Sequence, residues 1–235
     1  MSELHTTGRT DIGQFRENNE DAIVATDRLA LVADGMGGHP GGEIAAEVVV
    51  GVVPAAFTGR SVDELAAAVR AANWSIRDRA TTQPGLEGMG TTVCAVGLLS
   101  SGHLAIVNVG DSRAYLFRQG SLRHLTRDHS LTAELIERGE LQENEAGQHP
   151  FYGILTRALG VGSEVEIDRH TLTAEDGDRI LVCSDGLFNE LTDEEIEAAL
   201  ASDEGAPDIV DTLVDGAIGK GGRDNVSVVI AEIAA

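Results

Sequence analysis

Aromatic side chains, cysteine and positive charge are all scarce in this sequence. Phenylalanine, tyrosine and tryptophan make up 3% of the 235 residues, leaving few rings on which bases could stack. Lysine and arginine number 17 against 39 aspartates and glutamates, a formal net charge of −22. So large an excess of carboxylate repels a phosphate backbone, and nucleic acid is not an expected partner. The two cysteines, Cys94 and Cys183, lie inside apolar runs (TTVCAVGLL and RILVCSDG). They make no disulfide framework and are expected to be buried thiols. No apolar run approaches the roughly 20 residues that a membrane span needs. MSELHTTGRTD lacks a basic region followed by an apolar stretch, so it does not read as a signal peptide. A soluble cytoplasmic protein with no membrane partner is the expectation.

What is present suits one substantial core. Apolar residues form 42% of the chain, and no Pro/Ser/Gly linker or internal repeat divides it, so a single domain over residues 1–235 is expected. The runs AIVAT and LALVA within residues 22–33 suit two short strands, the second ending at Asp34-Gly35. A glycine-rich turn from Met36 to Gly42 leads into a helical pattern from Glu43 to Phe57. Ser61 with Glu64, and later Thr192 with Glu195, have the spacing of capping boxes, each opening a helix. From Gly90, TTVCAVGLL, HLAIVNVG and RAYLFRQ are β-favouring runs with turn-rich breaks between them. Residues 130–150 turn polar and weakly helical, an excursion over the surface. Strands are expected again at 165–172 and 179–183, then a helix after Pro207 and a closing strand, VSVVIAEI. Two helices, a block of strands, two helices and a last strand do not alternate as βαβ units. The expectation is α+β, two packed antiparallel sheets flanked by helices, with a doubly wound parallel sheet as the alternative.

Acids recur where strands stop or start. Asp34 follows LALVA, Asp111 follows IVNVG, Asp185 follows RILVCS, Glu20-Asp21 precede AIVAT, and Asp224 precedes VSVVI. A strand terminus holds a carboxylate rigidly, and a neighbouring glycine admits close backbone approach. Hard cations such as Mg²⁺ and Mn²⁺ select carboxylate, carbonyl and water oxygens, and no His or Cys cluster competes here. Each Asp-Gly alone is better read as a turn, and only the recurrence at strand ends brings a metal site level with that reading. From residue pattern alone, the turn reading and the metal-site reading both stand.

Eight ordered segments add a resemblance: DIGQFRENNEDA, LALVADGMGGHPGGEIA, GMGTTVCAV, VNVGDSRAY, LTRDHS, LTRALG, ILVCSDGL and GGRDNVSVV. Together they resemble the protein phosphatase 2C (PPM) family, metal-dependent serine/threonine protein phosphatases, and its compact bacterial members above all. The resemblance implies a four-layer α-β-β-α sandwich with a flap at about 130–155 that shapes substrate choice. It implies that Asp34 bridges two Mn²⁺ or Mg²⁺ ions and that the Gly35 carbonyl joins the shell. Asp185 and Asp224 would complete one ion, and Glu20 and Asp21 would serve the other, directly or through water. Asp111 would serve a third, weaker ion, shared with Asp185. Arg16 would clamp the substrate phosphate, a task for which a guanidinium fork is suited. The implied reaction is in-line attack on phosphoserine or phosphothreonine by solvent activated between two metals. Arg16, Asp34, Asp185 and Asp224 would then be the catalytic set. The implied partners are phosphorylated proteins, serine/threonine kinases and their targets among them, and a monomer is the default. A catalytically inactive module that binds phosphoprotein or metal is the alternative, although inactive relatives usually lose an acid or the arginine and this chain keeps them. Met36 stands where many eukaryotic relatives have histidine. Methionine cannot donate a proton, so the leaving group is expected to take one from water, with His39 and His129 as lesser alternatives.

Overall fold

The computed structural model describes residues 3–36 and 41–234. Eleven strands and six α-helices follow one another among these residues. Strands β1 (Glu3–Asp11), β2 (Asp21–Ala25) and β3 (Leu29–Met36) lead into helices α1 (Gly41–Ala56) and α2 (Val62–Thr82). Strands β4 (Gly90–Thr91), β5 (Val93–Leu98), β6 (His103–Val109), β7 (Arg113–Arg118) and β8 (Ser121–His124) follow. The polar excursion holds helix α3 (Leu131–Glu137) and a 3-10 turn, Glu143–Gln148. Strands β9 (Asp168–Thr173) and β10 (Arg179–Cys183), helices α4 (Asp185–Phe188), α5 (Asp193–Leu200) and α6 (Ala206–Lys220), and strand β11 (Val226–Ala234) complete the order.

The strands form two antiparallel sheets, β1-β11-β10-β7-β8 and β2-β3-β5-β6-β9, with β4 beside β3. Side-chain alternation divides the interior into three layers of core. Leu29, Leu31 and Ala33 of β3 pack toward α1 and α2, while Ala30 and Val32 pack toward the other sheet. In β11, Val226, Val228 and Ile230 pack toward α5 and α6, while Val229, Ala231 and Ile233 face the sheet that holds β3. One core between the sheets and one outside each sheet make the four-layer α-β-β-α sandwich. The parallel alternative is thereby excluded. Cys94 lies between the sheets and Cys183 on the helix side of its sheet, both buried and free.

The capping signals differ in outcome. Thr192 and Glu195 make both reciprocal bonds at the start of α5. Ser61 Oγ accepts from the Glu64 N–H at the start of α2. The Glu64 carboxylate turns instead to the N–H groups of Thr58 and Arg60, which brace the turn before the helix. Strand β1 went unforeseen because its residues, ELHTTGRTD, are mostly polar. It is an edge strand whose full length is held by backbone pairing to β11, from Glu3↔Ala234 to Asp11↔Val226. Strand β8 and the one-turn helix α4 were likewise missed; both are too short to show a period. No helix of the described residues is long and apolar enough to cross a membrane.

Candidate active site

The two sheets bring the acidic strand ends to one rim. Antiparallel pairing sets Asp21 directly across from Asp34. Asp185 leaves the end of β10, and Asp224 lies just before β11, which pairs with β10. The rim surrounds a cavity of about 210 Å³ lined by Arg16, Glu20, Asp34, Gly35, Asp111, Asp185 and Asp224. Seven of the eight residues proposed for the site therefore share one space. Asp21 is the exception. It is buried behind the rim, where its Oδ2 accepts from Ser184 Oγ at 2.8 Å and its Oδ1 has no partner.

Backbone fit explains the recurring glycines. A Cβ on Gly35 would stand 2.4 Å from the Gly42 carbonyl oxygen and 2.6 Å from that of Glu20. A Cβ on Gly186 would stand 2.1 Å from the Asn225 carbonyl oxygen. In both places the residue after the aspartate must lack a side chain for the strand ends to meet. Asp34 is then held from three directions. Its N–H donates to Thr92 Oγ1 at 3.0 Å, and its carbonyl accepts from Thr91 Oγ1 and the Thr92 N–H, each at 2.8 Å.

The comparisons agree with this geometry. A sequence profile of the family described as Protein phosphatase 2C matches residues 14–213. The chain belongs to the protein phosphatase 2C family. It is 41% identical over 98% of its length to the serine/threonine protein phosphatase PstP of Mycobacterium tuberculosis, and spans 45% of that relative. It is 36% identical to the serine/threonine phosphatase stp of Listeria welshimeri, covering 97% of this chain and 96% of that one. The crystal structure of the PstP catalytic domain in complex with two manganese ions superposes with a TM-score of 0.92 at 38% identity over the whole of both chains. The PPM phosphatase MsPP of Mycobacterium smegmatis, in complex with cacodylate, gives 0.88 at 37% identity over 99% of each.

Electrostatics mark this phosphatase 2C rim as a place where negative charge is in excess. Burial, then the charges of Asp21, Asp185, Asp111 and Asp224, hold the Asp34 carboxyl well above the usual carboxylate range. Burial chiefly, with neighbouring aspartates, pushes Asp21 and Asp111 up to about 7. Burial and the charge of Asp224 raise Asp185 to about 6, although hydrogen bonds from Asn189 and Asp34 oppose the rise. The Arg16 guanidinium is partly buried, which alone would weaken its charge. Asp224, Asp34 and Glu20 outweigh that and raise its pKa. Its Nη2 lies 2.6 Å from Asp224 Oδ2. Among the described residues no group of three or more His, Cys, Asp or Glu side chains is already arranged to hold a metal ion. In kind, the donors fit a hard divalent cation: carboxylates on one cavity, a Gly35 backbone that no side chain could crowd, and a buried Asp21 oxygen that lacks a partner.

Some functional residues were not foreseen. Asn225 is buried and spends every side-chain polar atom on the loop that carries Arg16 and Glu20. Its Oδ1 accepts from the Glu20 N–H at 2.8 Å, and its Nδ2 donates to the Ile12 and Asn18 carbonyls at 2.9 and 3.0 Å. Asn189 donates to Asp185 Oδ2 at 3.1 Å and accepts from the Tyr152 hydroxyl. The bonds of Asn225 and that of Tyr152 to Asn189 join residues distant in sequence and leave no local signal, whereas Asn189 follows Asp185 by four residues, a spacing that could have hinted at the contact. His129 is buried away from the cavity, between the Gly110 N–H, Asp168 and Arg157, and its role is structural. His39 lies outside the described residues. Met36 lines the cavity, and no described histidine does.

Proposed function

We propose that this chain is a single catalytic domain that hydrolyses phosphoserine and phosphothreonine in proteins with two bound Mn²⁺ or Mg²⁺ ions. The observation that carries the reading is the convergence of Glu20, Asp34, Asp111, Asp185 and Asp224 on one cavity with a single guanidinium, Arg16, beside them. Bound cations would supply Lewis acidity and an activated nucleophile drawn from solvent. Asp34, at the centre of the rim, would hold the cations together with the Gly35 carbonyl. Asp185, Asp224 and Glu20 would complete their ligands, and Asp111 with Asp185 would offer a weaker additional position. Asp21 acts from behind the rim, its bond to Ser184 fixing the turn into Asp185. Arg16 is held beside the cavity by Asp224. From there its guanidinium fork would grip two oxygens of the substrate phosphate. Gly153 and Leu155 of the flap also line the cavity. Phosphorylated proteins in the cytoplasm, acted on by a monomer, complete the reading.

The deciding experiment is hydrolysis of a phosphothreonine peptide with and without Mn²⁺. Activity should require metal, and Asp34→Ala should lower kcat/KM by more than about 100-fold, beyond the usual cost of losing an outer-shell partner. Metal-free turnover, or an active Asp34→Ala protein, would overturn the reading. Mn²⁺ binding without turnover would identify an inactive binding module instead.

A further inference from the structure

A second cavity, of about 310 Å³, opens beside the first and shares Asp111, Asp185 and Gly153 with it. Its far wall is the polar excursion: Ile136 of α3, Glu143 and Ala146 of the 3-10 turn, and Tyr152. Its floor is Arg113 and Phe188, with the guanidinium carbon 3.7 Å from the ring centroid. Arg113 is the only cation lining this space, and it is already neutralised. Its Nε and Nη2 donate to Asp128, the shortest contact being 2.7 Å, and its Nη1 donates to the Tyr115 hydroxyl at 3.0 Å. With Asp111 and Asp185 turned to metal, the charge left facing the cavity is Glu143. Beside the uncharged polar groups of Ser130, Thr132 and Asn189, the walls offer an apolar strip along Ile136, Ala146 and the Tyr152 ring. Such a space suits a side chain with an aliphatic stem and a cationic tip, and repels a second phosphate or an acid. The whole molecule acts in the same direction. A net charge of −22 opposes the approach of a phosphorylated, acidic segment, and a basic residue near the phosphate offsets that.

Resting on the phosphatase reading above, we propose that this cavity receives a lysine or arginine side chain lying close in sequence to the phosphorylated residue, its stem against Ile136 and Tyr152 and its charge beside Glu143. The protein therefore prefers substrates with a basic residue near the phosphate.

The test measures kcat/KM of the Mn²⁺-loaded protein on matched phosphothreonine peptides that carry Arg, Ala or Glu at successive flanking positions. At one position or more Arg should exceed Glu by about tenfold, a difference of ~1.4 kcal/mol. Glu143→Lys should erase or reverse that preference, Glu143→Gln should reduce it, and added salt should narrow it. Equal turnover of the three peptides, or an Arg preference intact in Glu143→Lys, would overturn the proposal. Para-nitrophenyl phosphate, which has no flanking residue, separates the two readings. If it and the peptides are all inert, the phosphatase reading fails; if it is cleaved without any peptide preference, only the basic-residue subsite fails.

Discussion

The two ends of β10 treat aspartate in opposite ways. Before the strand, Asp178 is buried and fully answered: Arg118 grips it through Nε at 2.7 Å and Nη2 at 2.6 Å, and the Glu175 N–H donates to it at 2.9 Å. Arg118 also pairs with Glu175, and Arg179 pairs with Glu232. Beyond the strand, Asp185 joins Asp34, Asp111 and Asp224 around a cavity that only one guanidinium serves. The same residue type flanking the same strand is thus matched by counter-charge at one end and crowded by other acids at the other. What separates them is counter-charge. A buried acid with its partner in place locks the fold, whereas a buried acid without one strains it and waits for a cation.

Stability measurements on metal-free protein are the sharpest way to break that contrast. Asp178→Ala strands Arg118 and should cost about 3 kcal/mol in urea denaturation. Asp34→Asn removes a charge that its neighbours repel and should have the opposite sign, raising the midpoint. If both substitutions destabilise alike, the rim is ordinary structure. Next in size, Mn²⁺ at a hundredfold excess over its dissociation constant should stabilise the wild type by about 2.7 kcal/mol, and chelator should reverse this in a thermal melt. Asp178→Ala should keep that gain in full, and Asp34→Asn should lose most of it. The smallest effect is on pH dependence. Asp21 and Asp111, raised to about 7 from an ordinary value near 4, bind protons more tightly in the folded state. The metal-free protein should therefore gain stability as pH falls from 8 to 5, and lose it as pH rises through 7. Saturating Mn²⁺ should flatten the curve. A metal-free curve that is already flat would mean that the rim carboxylates are compensated in some other way.

The legible part of this molecule was local. Asp34-Gly35 and Asp185-Gly186 stand at the ends of apolar strands, and that placement set a metal site beside the turn reading; the family resemblance decided between them. Most helices and strands were legible too, because apolar runs and Ser or Thr caps report on neighbouring residues. What stayed hidden was whatever depends on partners far along the chain. The polar β1 is a strand only because β11 lies beside it. Asp21 reads like Glu20, yet the pleat turns it inward to Ser184 while Glu20 lines the cavity. Asn225 looks like half of an Asx turn until its bonds to Ile12, Asn18 and Glu20 are seen. The assignment of strands to sheets was equally out of reach, since β9 pairs β6 across the whole excursion.

The Asn225 staple also sets a schedule. Arg16 and Glu20 precede almost all of the fold in sequence, but their loop is tied down by an amide that follows more than 200 positions later. A nascent chain can fold the β2-β3-β5-β6 sheet and its helices early, yet it cannot complete the cavity until β11 is in place. The shape of the cavity is therefore coupled to closure of the β1-β11 edge, and loosening that edge would loosen the loop of Arg16 and Glu20 with it.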